Sequence, residues 1–189
     1  MLLIGTGAIG ACHLPSFVGL LRHGYGADVT VCLTEAARGF VSPRSLTVLT
    51  GRPVVPPLWP EGGGPEHVTW AQWAQAVIVW PATLNFLSRC AFGIADTLPA
   101  AIVLSTTAPV VFAPSVAAGA TGGGPFRRAL RILRQDGHTI VGPVIGHAVS
   151  TGELTPGACV SPETVVARLT ARLSTSTSAI ASEESVIDV

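Results

Sequence analysis

The sequence predicts a single α/β domain, a mainly parallel sheet with helices on both faces, and three stretches carry that prediction. The first is Gln75–Asn85, QAVIVWPATLN, an apolar run that passes into a proline and then a hydroxyl and a carboxamide. A short apolar run bounded by proline reads as a strand buried on both faces, as strands of a parallel sheet are. The second is the opening, where the apolar strand Met1–Ile4 is followed by Gly5-Thr6-Gly7-Ala8-Ile9-Gly10 and an apolar-periodic segment through Leu21. The third is Asp28–Leu33, a second strand that ends at Thr34. Ligands of open parallel sheets lie just beyond the carboxyl ends of the strands, which places Thr83 and Asn85 where chemistry is expected.

At 189 residues the chain has the size of one domain with a full core. Its formal charge of zero gives no electrostatic reason to expect nucleic acid or an anionic membrane as partner. Only 12% of residues are charged and 48% are apolar, too few charges to cover a monomer's surface, so burial between subunits is expected. No run approaches the roughly 20 apolar residues of a membrane span, because Pro, Asn, Arg89 and Asp96 interrupt the hydrophobic middle. The first strand opens without a basic region ahead of it, which argues against secretion and for a cytoplasmic protein. Cys12, Cys32, Cys90 and Cys159 have no metal-ligand spacing and read as small apolar residues, so no metal is expected.

In chain order, the glycine turn after the first strand is a phosphate cradle: glycines let a ligand approach the backbone, and the following helix offers free N–H groups and its positive dipole end. Thr34 fits two roles, a ligand hydrogen bond or a helix cap. Glu35 could serve as the acid of a dinucleotide site, so these residues alone leave a nicotinamide enzyme open. Gly51–Gly64, rich in Pro and Gly and containing Trp59, reads as a loop that covers a site or packs on a neighbour. His67 precedes a helical turn at Trp70–Gln75; taken alone it is no more distinguished than His13, His23, His138 or His147. Phe126–Asp136 is an amphipathic helix with Arg127, Arg128, Arg131 and Arg134, a solvated face or subunit contact, or alternatively a site for an acidic leader peptide. Thr139–Val141 gives a last short strand and Pro162–Leu173 a closing helix, after which 174–189 is expected to be a disordered tail beyond a domain of residues 1–173.

The succession LLIGTGAIGA, LTEAARGFVSP, HVTWAQWAQAVIVWPATLN, VVFAPSVAAGA and GELTPGACVSP resembles the homo-oligomeric flavin-containing cysteine decarboxylases. That family includes phosphopantothenoylcysteine decarboxylases and epidermin-type enzymes that decarboxylate the C-terminal cysteine of a peptide. The resemblance implies a three-layer αβα sandwich with a flavodoxin-like (Rossmann-like) sheet, assembled as a trimer or a dodecamer with FMN at subunit contacts. It makes His67, placed ahead of the PASANT-like Pro81-Ala82-Thr83-Leu84-Asn85-Phe86, the active-site base, and Asn85 a contact to flavin and substrate. It implies FMN contacts from Thr6, Gly7, Ala8, Ile9, Thr34, Phe40, Thr83 and the Ala113 region, so FMN displaces NAD as the expected cofactor.

The chain departs from the family's pattern at three places. Phe86 replaces the last Thr of the PASANT-like motif. Pro114–Thr121 lacks the Met, the carboxylate-holding Asn and the Trp of the family's PxMNxxMW stretch, and the glycine-rich 119–124 that follows is expected to be mobile and to widen the mouth for a peptide end. In the flap, Gly152–Pro162, Thr151 stands where the coenzyme-A-pathway enzymes carry a proton-donating cysteine, and Cys159 falls at a family Met and is not expected to be catalytic. The implied chemistry is sound from first principles, since CO2 leaves only if the electrons left behind have a sink, and oxidising the cysteine side chain to a thioaldehyde creates one. Three functions compete: a decarboxylase of a precursor peptide's C-terminal cysteine, a phosphopantothenoylcysteine decarboxylase, and a non-catalytic regulatory member of the same fold.

Overall fold

The structure is a computed structural model that describes residues 1–149 and 151–184, the side chains of 175–184 excepted. Five strands, β1 (Leu2–Gly5), β2 (Thr30–Leu33), β3 (Val77–Ala82), β4 (Val110–Pro114) and β5 (Thr139–Ile140), form one sheet in the order β2-β1-β3-β4-β5, parallel throughout. This is the flavodoxin-like order, in which the chain reverses its direction of growth between β1 and β3.

Each central strand is apolar on both faces because each face has its own helical layer. Leu2, Ile4, Val77, Val79 and Phe112 pack with α3 (Glu66–Trp73), α4 (Leu84–Ala91), α5 (Leu98–Ser105) and α7 (Gly124–Gln135). Leu3, Val31, Ile78, Trp80 and Val111 pack with α1 (Leu14–Gly19), α2 (Pro43–Thr50) and α8 (Pro162–Glu184). Burying a large aliphatic side chain contributes about 2 kcal/mol, so this alternation fixes the strand register and with it everything mounted on the strand ends. Pro81 is tolerated inside β3 because the ladder to β4 is broken between Val79 and Ala82, where no N–H is required of it.

The loop expected at 51–64 is present, anchored at Val55, whose N–H donates to Val31 O (2.9 Å). In the glycine-rich stretch 119–124, α6 (Ala118–Thr121) is a helical turn, closed by Thr121 Oγ1 on Ala118 O at 2.7 Å, and Gly124 begins α7. The flap is a separate antiparallel hairpin of β6 (Val144–His147) and β7 (Leu154–Ala158). Along the expected tail, α8 continues to Glu184. A helix already packed through Val165, Val166 and Leu169 extends at far lower cost than a new one nucleates. Residues 185–189 of the expected tail lie outside the described residues.

Candidate active site

At the carboxyl edge of the sheet each of the first four strands is followed at once by a hydroxyl residue: Thr6 after β1, Thr34 after β2, Thr83 after β3 and Ser115 after β4. Two of them are coupled across the point where strand order reverses. The buried Thr6 hydroxyl donates to Pro81 O (2.6 Å) and accepts from the Thr83 N–H (2.9 Å), so it ties the β1 and β3 ends together. Thr34 caps the 3-10 turn Glu35–Gly39 by accepting from the Ala37 N–H (3.4 Å), and Thr83 caps α4 by accepting from the Phe86 N–H (3.4 Å).

The glycines of the first turn serve packing. A Cβ at Gly5 would meet Leu14 Cδ1 at 2.5 Å, and one at Gly7 would meet the Ala36 Cβ at 2.4 Å, so these positions let the turns after β1 and β2 lie against each other. The N–H groups of Ile9 and Gly10 open the 3-10 turn Ile9–His13 ahead of any intrahelical partner. Together with the Thr34 hydroxyl, whose own bonds are both long at 3.4 Å, they form an uncharged donor set suited to a phosphate monoester. The donor chemistry therefore fits the phosphate of FMN.

Beside this edge lies a cleft of about 730 Å³, walled by the first helical turn (Ile9, Gly10, His13), by Trp80, by Ser115–Ala118 and by the flap hairpin. The flap is held from two sides. Trp80 Nε1–H donates to Val160 O (2.8 Å), and the Val116 N–H donates to Gly157 O (2.9 Å). Gly157 has φ +117°, and a Cβ there would stand 2.2 Å from Val116 O, so the contact requires glycine. On the hairpin, His147 Nδ1–H donates to Gly152 O (2.8 Å), and the Glu153 N–H donates to Thr151 Oγ1 (3.3 Å). Cys159 donates its thiol to Ala113 O (3.3 Å), and burial pushes the thiol up to about 12, far from a usable acid or nucleophile at neutral pH.

Of the residues singled out from the sequence, Thr6, Gly7, Ala8, Ile9, Thr34 and Thr83 gather at the β1, β2 and β3 ends, and Ile9 also lines the cleft. Ala113 is fully buried, and Phe40 lies 40% exposed at the end of the 3-10 turn after β2. His67 and Asn85 do not line the cleft within one chain. His67 sits in the first turn of α3, where Trp59 Nε1–H donates to its Nδ1 (3.3 Å) and the rings meet edge to face at 5.8 Å. Asn85 is on the exposed side of α4, its Oδ1 accepting from Arg89 Nε (3.3 Å) while Arg89 pairs with Asp96. Phe86 is buried at 2% exposure among the α4 and α7 core residues, which explains an aromatic there in packing terms. Sequence reasoning did not select His13, His147 and Ser115 as cleft residues. The signal that was available is the hydroxyl following each strand. Among the described residues no group of three His, Cys, Asp or Glu is placed to hold a metal, and no helix is long and apolar enough to cross a membrane.

A flavodoxin-like sheet with a phosphate-compatible edge at its switch point and a flap-covered cleft beside it defines a mononucleotide-binding α/β protein. The comparisons narrow this: residues 1–174 match the Flavoprotein family, and the chain belongs to it. It is 35% identical over 163 residues to the coenzyme A biosynthesis bifunctional protein CoaBC of Escherichia coli K12, a match covering 85% of this chain and 40% of that protein. The chain thus spans about two fifths of the length of such curated relatives. Among solved structures, the FMN-dependent cysteine decarboxylase SpaF superposes with a TM-score of 0.77 at 32% identity, covering 89% of this chain and 93% of that one. TvaF, an FMN-dependent cysteine decarboxylase from thioviridamide biosynthesis, superposes with a TM-score of 0.68 at 29% identity, covering 75% and 88%.

Proposed function

We propose that the protein is an FMN-dependent enzyme that oxidatively decarboxylates the C-terminal cysteine of a precursor peptide. The observation that carries the choice of substrate is the lining of the cleft. Among the described residues around its roughly 730 Å³ there is no lysine or arginine. A phosphopantothenoyl substrate brings a dianionic phosphate that needs such a cation, whereas a peptide end brings a single carboxylate. The similarity to SpaF and TvaF supports the same reading, while the 35% identity to CoaBC favours the phosphopantothenoyl alternative.

Bound oxidised FMN supplies the hydride acceptor. Its phosphate would be held by the free N–H groups of the Thr6–Gly10 turn and by Thr34, with Thr83, Phe40 and the Ala113 strand end available to the remainder. His67 would take the proton of the substrate thiol, and Asn85 would orient the substrate without competing for a proton. Loss of CO2 from the resulting thioaldehyde gives the enethiol. Because His67 and Asn85 stand outside the cleft of their own chain, they act on a neighbouring subunit's cleft in a homotrimer. Exposed Phe92 (57%), Ile94 (45%) and Leu58 (57%) supply apolar surface for such contacts. Thr151 is too weak an acid to return a proton to the product, so the reaction stops at the enethiol and each turnover consumes an oxidant such as dioxygen.

The test is mass spectrometry of cysteine-ended peptides and of phosphopantothenoylcysteine after incubation with the flavin-loaded protein in air. The expected product is a peptide lighter by CO2 and two hydrogens. Turnover of phosphopantothenoylcysteine alone, or a peptide that has lost only CO2, overturns the proposal.

A further inference from the structure

We infer that His147 receives the substrate's terminal carboxylate, with His13 on the opposite wall of the cleft as the second donor; this rests on the peptide reading above. A carboxylate taken into a cleft must find donors there or the transfer from water is unfavourable. The side chains around this cleft that carry or can acquire charge are His13, His147 and Glu153, and Glu153 repels an anion. Ser115 and Thr151 add neutral hydroxyls. The two histidines enter from different elements, His13 from the end of the first helical turn and His147 from the flap strand β6.

His147 is the better placed of the two because its ring is already oriented. It pairs across the hairpin with Leu154, beside the turn, and its Nδ1–H is committed to Gly152 O at 2.8 Å. That bond leaves Nε2 as the ring atom available to a ligand. His13 has no such anchor: its side chain makes no capping bond at the start of α1. A histidine also suits the chemistry better than a permanent cation. The carboxylate leaves as neutral CO2, so a lysine or arginine bound to it would stabilise the reactant more than the transition state and slow the step.

The experiment measures binding of N-acetyl hexapeptides, randomised at the first five positions and ending in serine, as free acids and as C-terminal amides. Serine keeps the carboxylate but cannot be oxidised to a thioaldehyde, so the ligands are not consumed. Wild-type protein with FMN bound is expected to prefer the acids by about tenfold, the size of one charge-assisted hydrogen bond. In His147→Gln the amide affinity and flavin absorbance stay and the preference vanishes, while His13→Gln halves it. Equal binding of acid and amide by the wild type overturns the inference without any variant, as does a preference that survives in His147→Gln. If the wild type still releases CO2 from cysteine-ended peptides in either case, the proposed function stands alone. If no peptide binds and none is decarboxylated, both fall together.

Discussion

The carboxyl edge of the sheet and the flap that faces it across the cleft are stabilised in opposite ways. At the edge, Thr6 is 1% exposed, Ala113 and Leu33 are fully buried, and the turns interlock through Gly5 and Gly7. On the flap, Ile145 is 71% exposed, Leu154 66% and Val149 76%, and the hairpin joins the body through a few named bonds from Trp80, Val116 and Cys159. An element with few buried apolar contacts opens at low free-energy cost. On the proposed function, the rigid edge keeps the cofactor and the loosely held flap admits and releases the substrate, so lesions in the two regions are expected to have separable effects.

The largest expected effect is at the edge. In Gly7→Leu the new Cβ would stand 2.4 Å from the Ala36 Cβ, so the turns after β1 and β2 are forced apart and the donor set for the phosphate is lost with them. Overpacking of this kind costs about 3 kcal/mol, and the expected result is a protein without flavin absorbance whose Tm falls by roughly 10 °C. Retention of flavin at normal stoichiometry, or loss of flavin with no change in Tm, would show that the two turns are not coupled.

A flap lesion should separate what the edge lesion joins. Gly157→Ala puts a side chain 2.2 Å from Val116 O at φ +117°, which undocks β7 from the β4–α6 loop. Since β7 contributes little to either core, Tm is expected to fall by no more than about 3 °C and flavin binding to stay, while kcat/KM for the proposed peptide substrate drops about a hundredfold through KM. Calorimetry and steady-state kinetics on the same sample check both halves.

The two regions were also unequally legible in the sequence. β1, β2 and β3 announce themselves as apolar runs because parallel strands are buried on both faces, and Gly5 to Gly10 is readable because few sequences need glycine at that spacing. The flap strands carry Gly146, Pro156 and Gly157 among exposed residues, so neither an apolar run nor clean alternation marks them as strands. His13 and His147 could not be told from His23 and His138 without tertiary structure, because only the docking of the hairpin over the first helical turn brings them to one cleft. The helical continuation over 174–184 is not marked in the sequence, because its Ser and Thr residues read as a polar tail and only propagation from the packed turns before it extends the helix.

A smaller effect concerns His67, which belongs to neither region within one chain. The Trp59 indole N–H occupies Nδ1, the lone-pair nitrogen of a neutral ring with its hydrogen on Nε2, so a substrate proton can be taken there only when the indole moves aside. A neutral hydrogen bond is worth about 1 kcal/mol, so Trp59→Phe is expected to raise kcat about fivefold with flavin content unchanged. A fall in kcat would mean that the indole positions the proposed base and does not restrain it.

The smallest effect is at a side-chain bond that bridges the two regions, the Cys159 thiol on Ala113 O at 3.3 Å. Burial raises this thiol from 9.0 to about 12 in the folded protein. A group raised on folding stabilises the native state fully below its unfolded value, and that contribution is lost as pH rises, here between about pH 9 and pH 12, where the unfolded chain releases a proton the folded chain keeps. Wild-type protein is therefore expected to lose stability over that window, with shares from Cys90, also raised to about 12, and from the fully buried Cys32. Cys159→Ala removes only its own share. It should soften the alkaline decline, cost about 1 kcal/mol at pH 7, and leave turnover within about twofold of wild type. Urea melts from pH 7 to pH 11 with parallel decarboxylation assays decide it. If the variant abolishes turnover while keeping flavin, the thiol is part of the chemistry and the flap does more than close the cleft.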